Sequence, residues 1–282
     1  MAPTTSDILL TGPARSGTTL TCACLNQLPD CLALAEPMTP TAQGSIDDAL
    51  QYVSQFLTSA RTKALVEKRA TTKMADGGFG TANWFDSPDP GGKMRATREF
   101  VGELPLSKPL SPEFKLIVKH PGFFTALAAP LQERYPLYAV VRDPLATLAA
   151  WQTVDMPVNR GRWPSAEAFS PVLSARLLGL DDTLDRQIEI LRWCHETYQH
   201  LPRDRVLRYE DLVANPPLAL QDFHSGVQTI NVPIHVQDVA TRYASVDLSH
   251  LARKLRPYAS DFEWIYPELE RTLESQRPSK IR

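Results

Sequence analysis

The sequence predicts an α/β fold, with a central and mainly parallel sheet flanked by helices. Three observations carry this. Short apolar runs bounded by turn residues recur along the chain, segments with helical periodicity lie between them, and 282 residues that are 43% hydrophobic suffice for a large core. Strands alternating with helices imply parallel pairing with both sheet faces covered.

The elements follow in order. Strands are expected at Ile8–Thr11, Cys31–Ala35, Lys115–Lys119, Tyr138–Val141 and Val206–Tyr209. A helix is expected at Thr18–Leu28, directly after the first strand, and another at Ile46–Ala60, where Ile46, Ala49, Leu50, Val53 and Leu57 recur at helical spacing. Pro144–Trp151 opens with proline at a first helical turn, where a missing N–H costs nothing. The longest periodic segment, Leu173–Leu201, places Leu177, Leu180, Leu184, Ile188, Leu191, Cys194 and Tyr198 on one stripe and reads as a single helix. Six of the 13 glycines fall between Gly77 and Gly102, and no helix or strand pattern is evident there. That stretch and a second irregular one at 154–166 read as ligand-binding loops.

Composition narrows the function classes. Thirty basic and 32 acidic residues give a net charge of −2, which argues against a nucleic-acid or polyanion binder. The absence of long apolar runs argues against a membrane span, and the first residues lack a secretory pattern, so a cytoplasmic location is expected. Cys22, Cys24, Cys31 and Cys194 have no partners at zinc spacing and read as reduced core thiols; no metal site is expected.

The strongest local signal is Ile8-Leu-Leu-Thr-Gly-Pro-Ala-Arg-Ser-Gly-Thr-Thr-Leu20. A strand enters a turn holding Gly12 and Gly17, and a helix opens at Thr18. Successive N–H groups and the positive end of the helix dipole suit a phosphate there, with Thr18, Thr19 and Arg15 as added donors. The glycines have Walker A spacing, but Thr18 stands where that loop needs lysine. The strand Tyr138–Val141 leads into Arg142 rather than a magnesium-binding aspartate. Both departures point to a ligand with a single 5′-phosphate.

With those residues in hand, Pro13-Ala-Arg-Ser-Gly-Thr-Thr19 resembles the 5′-phosphosulfate loop of sulfotransferases that use 3′-phosphoadenosine-5′-phosphosulfate (PAPS). Val140-Val-Arg-Asp-Pro-Leu-Ala-Thr-Leu-Ala-Ala-Trp151 resembles their 3′-phosphate motif, and Val206-Leu-Arg-Tyr-Glu-Asp-Leu212 a strand–turn of that family. The resemblance implies a P-loop-like sulfotransferase domain over residues 1–282, with acceptor-binding segments at 77–105 and 154–166. Its donor would be PAPS, its product 3′,5′-bisphosphoadenosine (PAP), and no metal would be required. Gly12, Pro13, Ala14, Arg15, Ser16, Gly17, Thr18 and Thr19 would hold the 5′-phosphate and sulfonate, and Arg142 the 3′-phosphate. Eight residues after that arginine relatives carry serine; here it is Ala150, and Thr147, one turn earlier, is the substitute. Tyr209 would lie near the adenine, and Arg253 or Lys254 would close over the 3′-phosphate.

Arg15 and Lys119 are the cations for the bridging oxygen and leaving group. Two residues compete as the base that deprotonates the acceptor. Glu36, in Leu34-Ala-Glu-Pro-Met38, matches the base of the branch resembling tyrosylprotein and bacterial carbohydrate enzymes. His120, directly after Lys119, resembles the histidine base of enzymes acting on phenols and steroids, where one residue separates the pair. Adjacent residues on a strand face opposite ways, so Lys119 and His120 are not expected to serve one site together. The expected acceptor is a small molecule, such as a bacterial natural product or metabolite, taking the sulfuryl group on a hydroxyl or amine. Trp84, Phe85, Met156 and Trp163 are candidates for its wall. A nucleotide kinase of related architecture and a non-catalytic bisphosphoadenosine-binding domain are the alternatives.

Overall fold

Near-continuous apolar runs in the central strands decide the architecture, since such strands bury both faces. The computed structural model describes residues 6–40, 45–75, 85, 94–97, 99–223, 230 and 238–276. Strands β1 (Asp7–Thr11), β2 (Cys31–Ala35), β5 (Lys115–Lys119), β6 (Leu137–Val141) and β7 (Val206–Arg208) form a five-stranded parallel sheet in the order β2-β5-β1-β6-β7. Leu9, Leu34, Leu116, Val118 and Val141 face one core, and Ile8, Leu10, Ala33, Ile117 and Val140 face the other. Helix α1 (Thr18–Leu25) supplies Leu20, Cys22 and Cys24 to the second core, and α2 (Ile46–Thr62) supplies Leu50, Val53 and Leu57 to the first. All four cysteines are buried free thiols.

Short helices α3 (Pro121–Ala126) and α4 (Ala128–Gln132) connect β5 to β6, and α5 (Pro144–Trp151) follows β6 with Asp143 as its N-cap, accepting from the Ala146 N–H at 2.8 Å. Pro144 sits in the first helical turn, as the sequence indicated.

Four elements differ from the sequence reading. The segment Leu173–Leu201 is two helices, Pro171–Leu178 and Thr183–Tyr198. Gly179 follows the first, and Asp182 caps the second by accepting from the Asp185 N–H, so local capping overrides the shared stripe. Tyr209 begins a helix, Tyr209–Ala214, instead of ending a strand. The stretch 154–166 holds a 3₁₀ turn, Pro157–Arg160, and the start of a short helix, Pro164–Glu167. Within 77–105, where no strand was expected, β4 (Phe100–Pro105) pairs antiparallel with β3 (Arg69–Met74). The alternation in β3 (Ala70, Thr72 and Met74 buried) was the available signal, but threonine and lysine interrupt its apolar character. Residues 77–84, 86–93 and 98 of that stretch lie outside the described residues.

Candidate active site

Parallel strands present their carboxyl ends on one edge, and here that edge gathers the chemistry. β2 ends at Glu36, β5 at Lys119 and His120, β1 at the 12–19 loop, β6 at Arg142 and β7 at Tyr209. The strand order sets these side by side as Glu36, Lys119, loop, Arg142, Tyr209. At about 4.8 Å per strand the row spans roughly 19 Å.

The loop is built for close approach. Gly12 has φ +150°, and a Cβ there would lie 2.2 Å from the Val140 carbonyl oxygen. Gly17 has φ +99°, and its Cβ would lie 2.4 Å from Tyr209 Cδ2. Arg15 also adopts positive φ, at 66°, so the loop takes positive φ at positions 12, 15 and 17 before α1 opens. The Trp151 indole donates to the Ala14 carbonyl at 2.8 Å and ties the loop to the end of α5. Below it, the Thr11 hydroxyl meets Thr125 Oγ1 at 2.7 Å, and Thr125 meets the Tyr198 hydroxyl. Two buried polar atoms in the loop, Arg15 Nε and Ser16 Oγ, have no hydrogen-bond partner among the described residues. Unpartnered buried donors beside a helix N-terminus fit an anion.

On the Arg142 side positive charge accumulates. The Arg142 guanidinium lies 4.7 Å over the Tyr209 ring and donates to the Tyr243 hydroxyl at 3.1 Å. Arg15 lies 4.3 Å over Phe85, and Arg95 approaches the same ring at 5.9 Å. Burial, then Arg95, Arg142 and Arg242, lower Arg15 from 12.5 to about 10 against the opposing pull of Tyr243. Among the described residues none of these four arginines pairs with a carboxylate. Arginines without a carboxylate partner among the described residues, with Arg95 and Arg142 buried and Arg15 and Arg242 half-buried, are the electrostatic form of a site for phosphate groups.

On the Glu36 side charges are paired. Lys119, 2% exposed, donates to Glu36 Oε1 at 2.5 Å and to Thr19 Oγ1 at 3.3 Å. Lys73 from β3 donates to Glu36 Oε2 at 3.0 Å and pairs with Glu99 at 2.5 Å. Burial alone would raise the Glu36 carboxyl, but Lys119, Lys73 and His120 reverse this and bring it to about 2. Burial lowers Lys73, and Glu36 and Glu99 outweigh it, so its ammonium titrates above the usual range. His120 lies just past the end of β5, as the N-cap residue of α3. Its Nε2 lies 3.3 Å from the Met38 carbonyl oxygen, its Nδ1 is enclosed with no partner among the described residues, and its ring packs on Phe123 and Phe124. Burial pulls its pKa down, with Glu36 opposing, so the ring is neutral near pH 7.

The structure therefore brings together Gly12 to Thr19, Glu36, Lys119, Arg142 and Tyr209. It does not bring others. Thr147 is fully buried, and its hydroxyl donates to the Asp143 carbonyl at 3.0 Å, so the proposed substitute for serine is engaged inside its own helix. Lys254 is held by Asp185 at 2.7 Å and Asp182 at 3.5 Å at the N-terminus of helix Thr183–Tyr198. Arg253 is exposed, with Nη2 2.7 Å from His250 Nδ1. Trp163 is core, 6% exposed and edge-on to Trp193, and Met156 packs on the same core. Trp163 leaves the acceptor wall because it is buried in that core, whereas Met156 is half-buried; Trp84 lies outside the described residues. Lys73, Arg95, Arg242 and Tyr243 were missed. They sit in no motif, and only the pairing of β3 with β4 and the packing of the short 94–97 segment bring two of them to the edge.

Among the described residues no helix is long and apolar enough to cross a membrane, and no cluster of His, Cys, Asp and Glu is arranged to hold a metal. No family model and no curated protein matches the chain. Among solved structures it is similar to a sulfotransferase domain from the olefin synthase of Synechococcus PCC 7002, at 15% identity and a TM-score of 0.37, over 86% of this chain and 80% of that one.

Proposed function

We propose that the protein is a sulfotransferase that moves a sulfuryl group from PAPS to a hydroxyl or amino group of a small acceptor. The observation that carries this is the order of residues along the sheet edge. Arginines with no carboxylate partner among the described residues stand on one side of a glycine loop and a lysine–carboxylate pair on the other. A nucleotide with a phosphate at each end of its ribose fits the arginine side, and its reacting end then faces Lys119 and Glu36. When bound, PAPS supplies an activated sulfuryl group whose leaving group is a phosphate.

The loop N–H groups, Ser16 and Thr18 would hold the 5′-phosphate, and Arg142 the second phosphate. Arg15 and Lys119 offset charge on the oxygens of the leaving group. Glu36 receives the acceptor's proton at Oε1. In the unliganded site that carboxylate is bound to two lysines and is a weak base, with its pKa near 2. Drawing Lys119 toward an anion in the loop releases Oε1 and raises its basicity. His120 is the weaker candidate because its free nitrogen is enclosed by protein, whereas the Glu36 side chain is 23% exposed.

Calorimetry tests the donor: PAP should bind in the micromolar range with little affinity for ATP, and equal affinities would refute the assignment. With labelled PAPS and a metabolite library as acceptors, Glu36→Gln should lose turnover and keep PAP binding. Activity retained in that variant and lost in His120→Asn would transfer the base role to His120.

A further inference from the structure

The two-stranded sheet reaches Glu36 through a clip one residue away. The Thr72 hydroxyl of β3 accepts from the Ala35 N–H at 2.9 Å, which fastens β3 to the last residue of β2, and the contact is buried. Lys73 and Glu36 are the next residues on the two segments. Lys73 Nζ donates to Glu36 Oε2 at 3.0 Å, while Lys119 Nζ donates to the other oxygen, Oε1, at 2.5 Å. One carboxylate is thus gripped at separate oxygens from two different sheets.

The two grips differ in what else they touch. Lys119 also donates to Thr19 Oγ1 in the glycine loop at 3.3 Å, so an anion in that loop competes for its ammonium. Lys73 pairs instead with Glu99 at 2.5 Å, the residue just before β4. The register of the hairpin sets that contact, since Met74 lies opposite Phe100. When Lys119 turns to the loop, Lys73 still holds Oε2, and Oε1 keeps its place. A base needs a fixed position before it can take a proton, and a carboxylate held at one oxygen presents the other. The Glu99 carboxylate offsets part of the Lys73 charge, so this hold takes less basicity from Glu36.

We propose that Lys73 is a positioning residue for Glu36, fixing the carboxylate through Oε2 during transfer, and that Glu99 tunes the strength of the hold. The inference rests on the reading of Glu36 as the base. Among the described residues the groups facing Glu36 are Lys73 from β3, Lys119 and His120 from the end of β5, and the Cys22 thiol of α1, which burial pushes up to about 12. Lys73 and Glu99 are the members of this cluster that no sequence motif contains.

Carbon-13 NMR titration of the full chain, labelled at glutamate Cδ and saturated with PAP, tests it, with Glu36→Gln to assign the signal. Lys73→Met should raise the Glu36 midpoint by about one pH unit or more, because an opposite charge within hydrogen-bond reach is lost. Glu99→Gln should lower it, since the Lys73 charge then bears more fully on Glu36. Lys73→Arg keeps the charge and should restore the wild-type midpoint; it also serves as the test variant should the methionine form not fold. Opposite shifts in Lys73→Met and Glu99→Gln are the signature of a hold on the base. A lysine that merely supported the hairpin would lower the melting temperature and leave the midpoint alone. Unmoved midpoints, or an upward shift in both variants, overturn the proposal. Failure of the transfer reading looks different: wild-type protein would not bind PAP, which overturns both.

Discussion

Replacing Glu36 by glutamine removes a charge and almost no volume, and the structure sets what that costs. Glu36 holds φ at +43° after β2, where its N–H donates to the Lys119 carbonyl at 2.7 Å, so the backbone fixes the carboxylate beside Lys119. The displacement of its pKa from 4.5 to about 2 corresponds to about 3 kcal/mol of preference for the charged form. In Glu36→Gln, Lys119, 2% exposed, loses its ion pair with Glu36, and breaking a buried pair from one side costs about 3 to 5 kcal/mol. With a urea slope of about 3 kcal/mol per molar, the unfolding midpoint at pH 7 should fall by about 1 M. The sign with pH follows from the depressed folded pKa. The stabilisation is complete above the unfolded value of 4.5 and is lost as pH falls toward 2, so the deficit of the variant should shrink on acidification. Urea titrations followed by tryptophan fluorescence at pH 7 and pH 3 measure both. An unchanged midpoint at pH 7, or a deficit as large at pH 3, would refute the claim that Glu36 is the counter-ion of Lys119.

Three further outcomes are expected. Gly17→Ala places a methyl 2.4 Å from the Tyr209 ring at φ +99°, and should lower PAP affinity by about tenfold or more; pairing it with Tyr209→Ala should recover part of the loss, and a purely additive double variant would argue against the contact. His195 is fully buried among Phe262, Trp264 and Tyr266 with both ring nitrogens unpartnered among the described residues, and burial lowers it from 6.5 to about 3. Its neutral form stabilises fully above 6.5 and loses ground as pH falls, by about 2 kcal/mol at pH 5, so melting of His195→Phe should be flatter between pH 7 and pH 5 than that of wild type. Trp151→Phe deletes the bond to the Ala14 carbonyl and should cost about 1 to 2 kcal/mol in chemical denaturation, with PAP binding weakened because the loop loses its tie to α5.

Much of this fold was legible locally. The runs at 31–35 and 115–119 are strands with those bounds, and Pro144–Trp151 is a helix with its proline where expected, because burial of both faces and first-turn proline are properties of a few neighbouring residues. The break at Gly179 was hidden because one apolar stripe continues through two helices. β3 and β4 were hidden because a two-stranded sheet with one exposed face carries a weak pattern, and Val101 on β4 is 50% exposed.

At the candidate site, the sequence alone placed the glycine loop, Arg142, Lys119 and Glu36 at the ends of strands. Each follows from strand ends and backbone conformation, which are short-range. Tertiary structure alone decided the strand order that lines these residues up, the closure of Glu36 between Lys119 and Lys73, and the arrival of Tyr243 beside Arg142. Those contacts join residues far apart in the chain, and neither spacing nor composition encodes them. They exist because packing a twisted parallel sheet brings the ends of separated segments to one edge, where unpaired charge makes them a site.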